Sequence, residues 1–321
     1  MVTLNCNTAL RTRLEMSDSN TLSIVVPIKS MSGRLQQVAK LLQNPDLEVI
    51  LVHDWADDQT GKELRDLVSI SKAKALLIEG LFGSPGAARN AGLTRCTSDY
   101  VAFFDSDDEN FAGERTYECL TNCDKAPDII GNAFEVQENP SLEIFAHPAP
   151  LDLAHALMRQ PGIWRYIFRK AFLEFEEISF TEIKMGEDIL FLLDCYRARP
   201  VYMGNEVRSY RYIIGNSMQA TQTLSARRDL TLLAEELRSR FAMSSNESDR
   251  KLISYLWARS IGSGMKLLDN AGRAQIMQLA LAGAARNPGI LTKSIRQFRA
   301  LLQSMSSLTD SNYLISESKD E

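Results

Sequence analysis

Three carboxylates lie within four residues of one another at the end of a short apolar run. The run Tyr100–Phe104 is followed directly by Asp105, Asp107 and Asp108. Such runs are typical of buried strands in parallel sheets, and open α/β sheets bind their ligands at the carboxyl ends of these strands. Because like charges repel at this spacing, a divalent cation would stabilise them, and oxygen ligands favour Mg2+ or Mn2+ over zinc. A solvated acidic turn explains the pattern alone equally well.

Strands and helices that alternate along the chain from residue 21 must position this turn. Strands are predicted at Leu22–Ile28, Leu47–His53, Ala75–Ile78, Tyr100–Phe104 and Ile129–Phe134, and helices at Arg34–Leu42, Gln59–Ile70 and Gly86–Leu93. The alternation predicts an α/β fold in which helices flank a mostly parallel central sheet. Helical segments at Leu151–Met158, Lys170–Phe175 and from Gly186 then precede a predicted edge strand at Arg208–Ile214.

Every segment after Ser225 has helical periodicity, so we place a domain boundary near residue 225. Residues 21–225 are predicted to form the catalytic domain, and residues 226–308 an all-helical appendage. The first 20 residues are polar and lack the apolar core of a signal peptide. We predict that this leader and the tail, residues 309–321, are disordered.

The composition indicates a globular protein and excludes several classes. Of 321 residues, 45% are hydrophobic and 24% charged, and no uninterrupted apolar run is long enough to span a bilayer. A formal net charge of −5 argues against nucleic acid as a partner. The five cysteines form no C-x-x-C pair, and their odd number favours reduced thiols and a cytoplasmic location.

Five short motifs follow one another at predicted strand ends or helix starts. They are VVP at Val25–Pro27, VHDWADDQT at Val52–Thr60, GSPGAARNAGL at Gly83–Leu93, FFDSDD at Phe103–Asp108 and MGEDILF at Met185–Phe191. In order and spacing they resemble the family 2 glycosyltransferases, which are inverting enzymes of the GT-A fold. The resemblance covers roughly residues 21–217. It departs at His53, Trp55 and Ala56, where the family often has Asp, Gly and Ser.

The resemblance implies a nucleotide-sugar half at about residues 21–110 and an acceptor half at about 111–225. In the first half, Asp54 would accept hydrogen bonds from the base or ribose, and Arg89 would face the base and diphosphate. Asp105 would approach the ribose, while Asp107 would coordinate Mn2+ or Mg2+. The other donor-binding positions implied are Pro27, Ile28 and Ser106. The donor implied is a nucleoside diphosphate sugar, with a UDP-sugar favoured.

The acceptor implied is a glycan, a polysaccharide or a lipid-linked sugar. Asp188 is the predicted general base, because inversion by direct displacement needs one carboxylate to take the proton of the acceptor hydroxyl. Helix N-termini also favour acidic residues, which explains Glu187 as well as an acceptor contact does. Trp164 could stack on an acceptor sugar, although core packing is its commoner role. Arg211 is the remaining acceptor-side candidate.

Apolar residues recur at helical spacing over residues 290–305, opposed by basic residues. This face could lie on an anionic membrane as a peripheral contact at the inner face of the cytoplasmic membrane, or it could pack on the catalytic domain.

Two alternative functions also remain open from the sequence. One is a sugar nucleotidyltransferase, which VVPIKSMSGRLQQ fits poorly; the other is a non-catalytic homologue that binds sugar nucleotides, motivated by the altered loop at His53, Trp55 and Ala56.

Overall fold

The computed structural model describes residues 20–29, 35–55, 58–121, 126–138, 144–159, 161–214, 224–290 and 292. The predicted leader before residue 20, the tail 309–321 and nearly all of the last amphipathic helix lie outside these residues. The chain divides into two compact units. The first comprises residues 1–156, 160–182 and 191–217, and the second residues 157–159, 183–190 and 218–321.

The first half of the α/β unit alternates strictly between strands and helices, as the sequence predicts. Its elements are β1 (Leu22–Ile28), α1 (Leu35–Leu42), β2 (Leu47–Asp54), α2 (Asp58–Ser69), β3 (Lys74–Gly80), α3 (Pro85–Leu93) and β4 (Tyr100–Phe103). The strands β1, β2, β3 and β4 pair in parallel in the order β3-β2-β1-β4. Their carboxyl ends therefore share one edge of the sheet.

The second half of this unit completes a mixed sheet. Its elements are α4 (Glu114–Thr121), β5 (Ile129–Glu138), β6 (Ile144–His147), α5 (Leu153–Arg159), β7 (Tyr166–Arg169), α6 (Lys170–Phe175), α7 (Glu187–Arg197) and β8 (Tyr202–Ile214). β7 is antiparallel to both β4 and β5, and β6 is antiparallel to β5. β8 pairs in parallel with the other side of β5. The sheet is thus parallel in the half that carries the acidic turn and mixed beyond it.

Apolar burial explains why the central strands form. Every residue of β4 is buried, and β1 is buried throughout except for the partly exposed Pro27. A strand covered by helices on both faces reads as a continuous apolar run, which is the pattern in LSIVVPI and YVAF. This packing fixes the strand ends, and hence the residues that follow them.

A buried carboxylate ties β1, β2 and β3 together near their amino ends. Glu48 is 7% exposed and accepts hydrogen bonds from the Ser23 hydroxyl and from the Thr97 amide (2.7 Å) and hydroxyl (2.7 Å). The ammonium of Lys74 lies 2.8 Å from Glu48 Oε1. Burial raises the pKa of Glu48, but these partners outweigh it and lower the pKa from 4.5 to about 2.

The depressed pKa predicts an acid-sensitive contribution to stability. A carboxyl whose pKa is lower in the folded state stabilises the fold above its unfolded pKa and loses that contribution as the pH falls. We therefore expect the contribution of Glu48, at most roughly 3 kcal/mol, to be complete above about pH 4.5 and lost between about pH 4.5 and pH 2. Urea unfolding over this pH range would measure it, and Glu48→Gln should flatten the profile. The exposed Asp66 supplies the control, Asp66→Asn; an equal effect of both substitutions would contradict the prediction.

The second unit is helical. Its long helices are α8 (Leu224–Met243), α9 (Glu247–Leu267) and α10 (Asn270–Arg286). Asn246 caps α9 by accepting the Ser248 and Asp249 amides, and Asp269 caps α10 by accepting the Gly272 amide. Among the helices that the structure describes, none is both long and apolar enough to cross a membrane.

Candidate active site

One carboxylate of the acidic turn is a structural anchor. Asp108 is 1% exposed; its Oδ2 accepts the Tyr210 hydroxyl at 3.0 Å and its Oδ1 accepts the Ile213 amide at 2.9 Å. The Asp105 amide donates to the same Tyr210 oxygen at 3.1 Å. Burial, together with the neighbouring Asp105 charge, raises the pKa of Asp108 well above its usual value. Asp108 therefore fastens the turn to β8.

A buried arginine fixes the first carboxylate of the turn. Arg89 lies on α3, is 4% exposed, and donates from Nη2 to Asp105 Oδ1 at 2.8 Å. Ser84 caps this helix by accepting the Ala87 amide at 3.1 Å, and Pro85 begins it. The guanidinium also lies 5.4 Å from the centre of the Phe180 ring. The structure thus brings Arg89 and Asp105 together, as the motifs suggested for one donor site.

The glycine that opens α3 permits a close approach of the chain to itself. A Cβ added at Gly86 would lie 2.2 Å from the Thr181 carbonyl oxygen. Asn90, one turn further along α3, donates to the Phe180 carbonyl (2.8 Å) and accepts the Phe180 amide (2.9 Å). Gly86 therefore allows α3 to pack closely against segment 180–181. The consequence of this packing is that α3, and with it Arg89, is held in one position.

Asp54 closes the loop that follows β3. Its Oδ1 accepts the amides of Phe82 (2.8 Å) and Gly83 (3.2 Å). Its Oδ2 has no hydrogen bond to any residue that the structure describes. In the adjacent β1, Pro27 is partly exposed while the Ile28 side chain is buried. The carboxyl ends of β1 and β2 thus present one carboxylate oxygen beside a partly exposed proline.

Asp105, Ser106 and Asp107 form the partly exposed part of the acidic turn. Within the described ranges, no group of three or more His, Cys, Asp or Glu side chains is placed to hold a metal by itself. Mg2+ is commonly held by one or two carboxylates together with substrate phosphates. A partly exposed Asp107 beside two anchored carboxylates fits that donor set, in which the diphosphate completes the coordination.

Two of the acceptor-side candidates have internal partners. Trp164 is 7% exposed and stacks on Tyr210 and Tyr212, with ring centroids 4.8 and 5.6 Å away. This burial favours core packing over stacking on a sugar. Arg211 binds Glu135 through both Nε (2.9 Å) and Nη2 (2.8 Å). Its guanidinium is therefore oriented by β5, the strand paired with β8.

Glu187 and Asp188 begin α7, within segment 183–190 of the second unit. Asp188 Oδ1 accepts the amide of the next residue, Ile189, at 2.8 Å, and Glu187 is 8% exposed. Their placement at a helix start agrees with the sequence. The role of Asp188 as a base stays a prediction.

Two residues that position the site were not predicted from the sequence: Glu135 and Phe180. Glu135 orients Arg211, and Phe180 lies beside Arg89 and is bonded to Asn90. Neither could be found from local pattern, because their partners are 76 and 90 residues away.

We expect Tyr210→Phe to lower the free energy of unfolding by about 1–3 kcal/mol, because it leaves Asp108 Oδ2 and the Asp105 amide without their buried partner. Urea denaturation would measure the loss. Tyr117→Phe is the matched control, since its hydroxyl has no hydrogen bond to a described residue. Equal stability of the two variants would contradict the anchoring role of Tyr210.

Comparison with known proteins relates part of this chain to a known family. Residues 23–177 match the family model of glycosyl transferase family 2. A Bacillus subtilis relative described as uncharacterized glycosyltransferase EpsJ is 28% identical over 194 residues, covering 54% of this chain and 56% of the relative. A Campylobacter jejuni GalNAc(5)-diNAcBac-PP-undecaprenol beta-1,3-glucosyltransferase is 24% identical over 243 residues, covering 72% of this chain and 78% of the relative. The chain thus spans little more than half of the first relative.

The fold has a solved counterpart. The structure of S. aureus TarS residues 1–349 in complex with UDP-GlcNAc superposes with a TM-score of 0.55 at 18% identity, covering 89% of this chain and 92% of that 1–349 chain. The fold is therefore that of the GT-A glycosyltransferases. Residues 23–177 thus form a glycosyl transferase family 2 region, and both of these relatives are named as glycosyltransferases.

Proposed function

We propose that this enzyme transfers a sugar from a nucleoside diphosphate sugar to a hydroxyl acceptor, with inversion at the anomeric carbon and dependence on a divalent cation. The observation that carries the proposal is the fixed set of charges at the carboxyl edge of β2 and β4. Asp54 offers an acceptor oxygen, Arg89 is locked onto Asp105, and Asp107 lies partly exposed between the two anchored carboxylates. Each group has a counterpart on a sugar nucleotide.

The donor would bind with its base or ribose on Asp54 and its ribose near Asp105. Pro27, Ile28 and Ser106 would line the same edge. A guanidinium whose position is fixed matches the oxygens of a diphosphate, which is the role we assign to Arg89. Asp105 neutralises much of the Arg89 charge. The role of the pair would therefore be to offer hydrogen-bond donors to the diphosphate at a fixed position, rather than to attract it through a general positive potential.

Asp107 would hold Mn2+ or Mg2+ jointly with the diphosphate. When bound, the cation offsets the negative charge that develops on the departing nucleoside diphosphate. Asp108 would contribute indirectly, because its bonds to Tyr210 and Ile213 fix the backbone from which Asp107 projects. In this proposal Asp107 therefore binds the metal, and Asp108 stabilises the turn.

Asp188 would act as the general base that takes the proton of the attacking acceptor hydroxyl. Support comes from the MGEDILF motif and from the start of α7 at Glu187. Glu187 and Arg211 would contact the acceptor, and the Arg211–Glu135 ion pair would orient that guanidinium. An inverting transfer proceeds by a single displacement. One carboxylate that acts as the base is therefore sufficient.

The relatives suggest which substrates to test first. TarS was crystallised with UDP-GlcNAc, which supports a UDP-sugar donor. The name of the Campylobacter jejuni relative specifies a PP-undecaprenol-linked acceptor, which supports a lipid-linked sugar or glycan here. A cytoplasmic location and membrane contact through residues 290–305 remain predictions from the sequence alone.

A panel of UDP-, GDP- and dTDP-sugars, each with and without Mn2+, tests the proposal. We expect at least one donor to raise the melting temperature in a manganese-dependent way and to be hydrolysed slowly without acceptor. The absence of both responses for every donor, with Asp107→Ala indistinguishable from wild type, would contradict the enzymatic proposal and favour a non-catalytic homologue.

A further inference from the structure

Trp55 exposes a large aromatic ring beside the proposed donor site. Trp55 is 57% exposed and directly follows Asp54 at the carboxyl end of β2. The chain has three tryptophans, and the other two, Trp164 and Trp257, are 7% and 3% exposed. Single exposed apolar side chains are common on protein surfaces, so the exposure of Trp55 alone carries no argument. Its position, directly after Asp54 at the strand end, is what points to contact with a ligand.

Two hydrogen bonds hold Trp55 in place. Its amide donates to the Gly80 carbonyl at 2.8 Å, which extends the pairing of β2 with β3 by one residue. Its indole Nε1 donates to Asp58 Oδ1, in the first turn of α2, at 3.1 Å. A residue whose backbone and ring are each held by a hydrogen bond loses less conformational entropy when a ligand binds.

The surroundings of Trp55 match one part of a sugar nucleotide. Leu81, which follows the Gly80 partner, is 82% exposed and adds apolar surface. Gly83 has a φ of +74°, and a Cβ built there meets nothing within 4 Å, so the loop leaves open space. Asp54 Oδ2 offers a hydrogen-bond acceptor at the same strand end. A flat ring could place its apolar face against the exposed side chains and its polar edge groups near the Asp54 oxygen.

We propose that Trp55 stacks on the nucleobase of the donor. This deepens the proposed function and rests on it. Every nucleobase has a face that can stack on an aromatic ring, so the contact would set the affinity for nucleotides rather than select one base. Selection would depend on groups that meet the base edge, such as Asp54.

Nucleotide titrations of the full chain test this contact with two readouts. Calorimetry gives the affinity for UDP, for GDP and for inorganic pyrophosphate, which lacks a base, all in the presence of Mn2+. Tryptophan fluorescence reports on Trp55, because iodide reaches the exposed indole far more readily than the two buried ones. Trp55→Ala and Trp55→Phe are compared with Leu281→Ala, a 66% exposed apolar side chain of the helical unit.

We expect UDP or GDP to change the emission of the wild-type chain and to protect it from iodide, while pyrophosphate does neither. Trp55→Ala should weaken nucleotide binding roughly 5- to 100-fold, leave pyrophosphate binding unaltered and leave the melting temperature near that of wild type. Trp55→Phe should retain most of the affinity, and Leu281→Ala all of it.

The outcomes separate this inference from the proposed function. Nucleotide binding that leaves Trp55 emission unaltered and is equally tight in Trp55→Ala would overturn the stacking contact alone. Equal weakening of nucleotide and pyrophosphate binding would also overturn it, because the effect would then not involve the base. If no nucleotide binds the wild-type chain at all, the proposed donor site itself fails.

Discussion

Replacing Asp107 with asparagine is expected to lower kcat/KM for sugar transfer by roughly 100- to 1,000-fold, the range seen when one electrostatic contact to a developing charge is removed. Asparagine keeps the shape of the side chain but removes the negative charge that a divalent cation requires. The loss should be larger in kcat than in donor KM, because charge builds on the diphosphate as the glycosidic bond breaks. Steady-state kinetics with the donor that the panel selects would measure it.

Glu109→Gln is the matched control for this substitution. Glu109 lies two residues further along the same turn, and its carboxylate accepts Gln37 at 2.9 Å and Lys40 at 3.4 Å. We expect its kinetic constants to stay within about threefold of wild type, since glutamine keeps a hydrogen-bonding side chain there and the lost ion pair to the half-exposed Lys40 contributes little. Wild-type activity in Asp107→Asn, at any concentration of Mn2+ or Mg2+, would show that Asp107 is not the metal ligand.

Asp188→Asn is expected to lower kcat for transfer to the acceptor by roughly 100- to 10,000-fold, the range for loss of a general base. Nucleotide affinity should not fall, because the base acts on the acceptor and not on the donor. The pH dependence of kcat, where activity is measurable, should lose its acidic limb. Parallel calorimetry with UDP and rate measurements across pH would separate these effects.

Asp194→Asn, on the same helix, controls for charge and for helix stability. Asp194 lies 4.0 Å from Arg197, and an ion pair at this distance between two partly exposed side chains contributes little to stability. Equal losses from the two substitutions would assign the effect to α7 as a whole. A loss of donor affinity in Asp188→Asn that accounts for the whole kinetic defect would remove Asp188 from the base role.

Much of the fold follows from local pattern in the sequence. The apolar runs of β1, β2 and β4 predict their strands because both faces of each are covered. The short strands β6 and β7 were not predicted. β6 has mostly exposed residues and lacks the burial that produces a strand pattern, and β7 is stabilised by pairing with strands far away in sequence.

The candidate site likewise has features that local sequence predicts and features that depend on distant residues. The motifs located Asp54, Arg89 and the acidic turn at one edge, since strand ends can be read from sequence. The resemblance assigned the metal to Asp107, but the sequence could not show that Asp108 anchors the turn, because its partner Tyr210 lies 102 residues away on a strand whose register is not encoded locally. Burial had to be seen in three dimensions before one carboxylate of the pair could be assigned to the scaffold.

The effect of Mn2+ on nucleotide affinity tests the central claim most directly. Calorimetric titration of UDP into the wild-type chain and into Asp107→Asn, each with Mn2+ and with a chelator, gives four dissociation constants. We predict that Mn2+ tightens binding to wild type at least tenfold, about 1.4 kcal/mol, and leaves the variant near its value in chelator. Equal tightening in both proteins, or none in wild type when UDP binds, would contradict a donor site in which the acidic turn and the diphosphate share a cation.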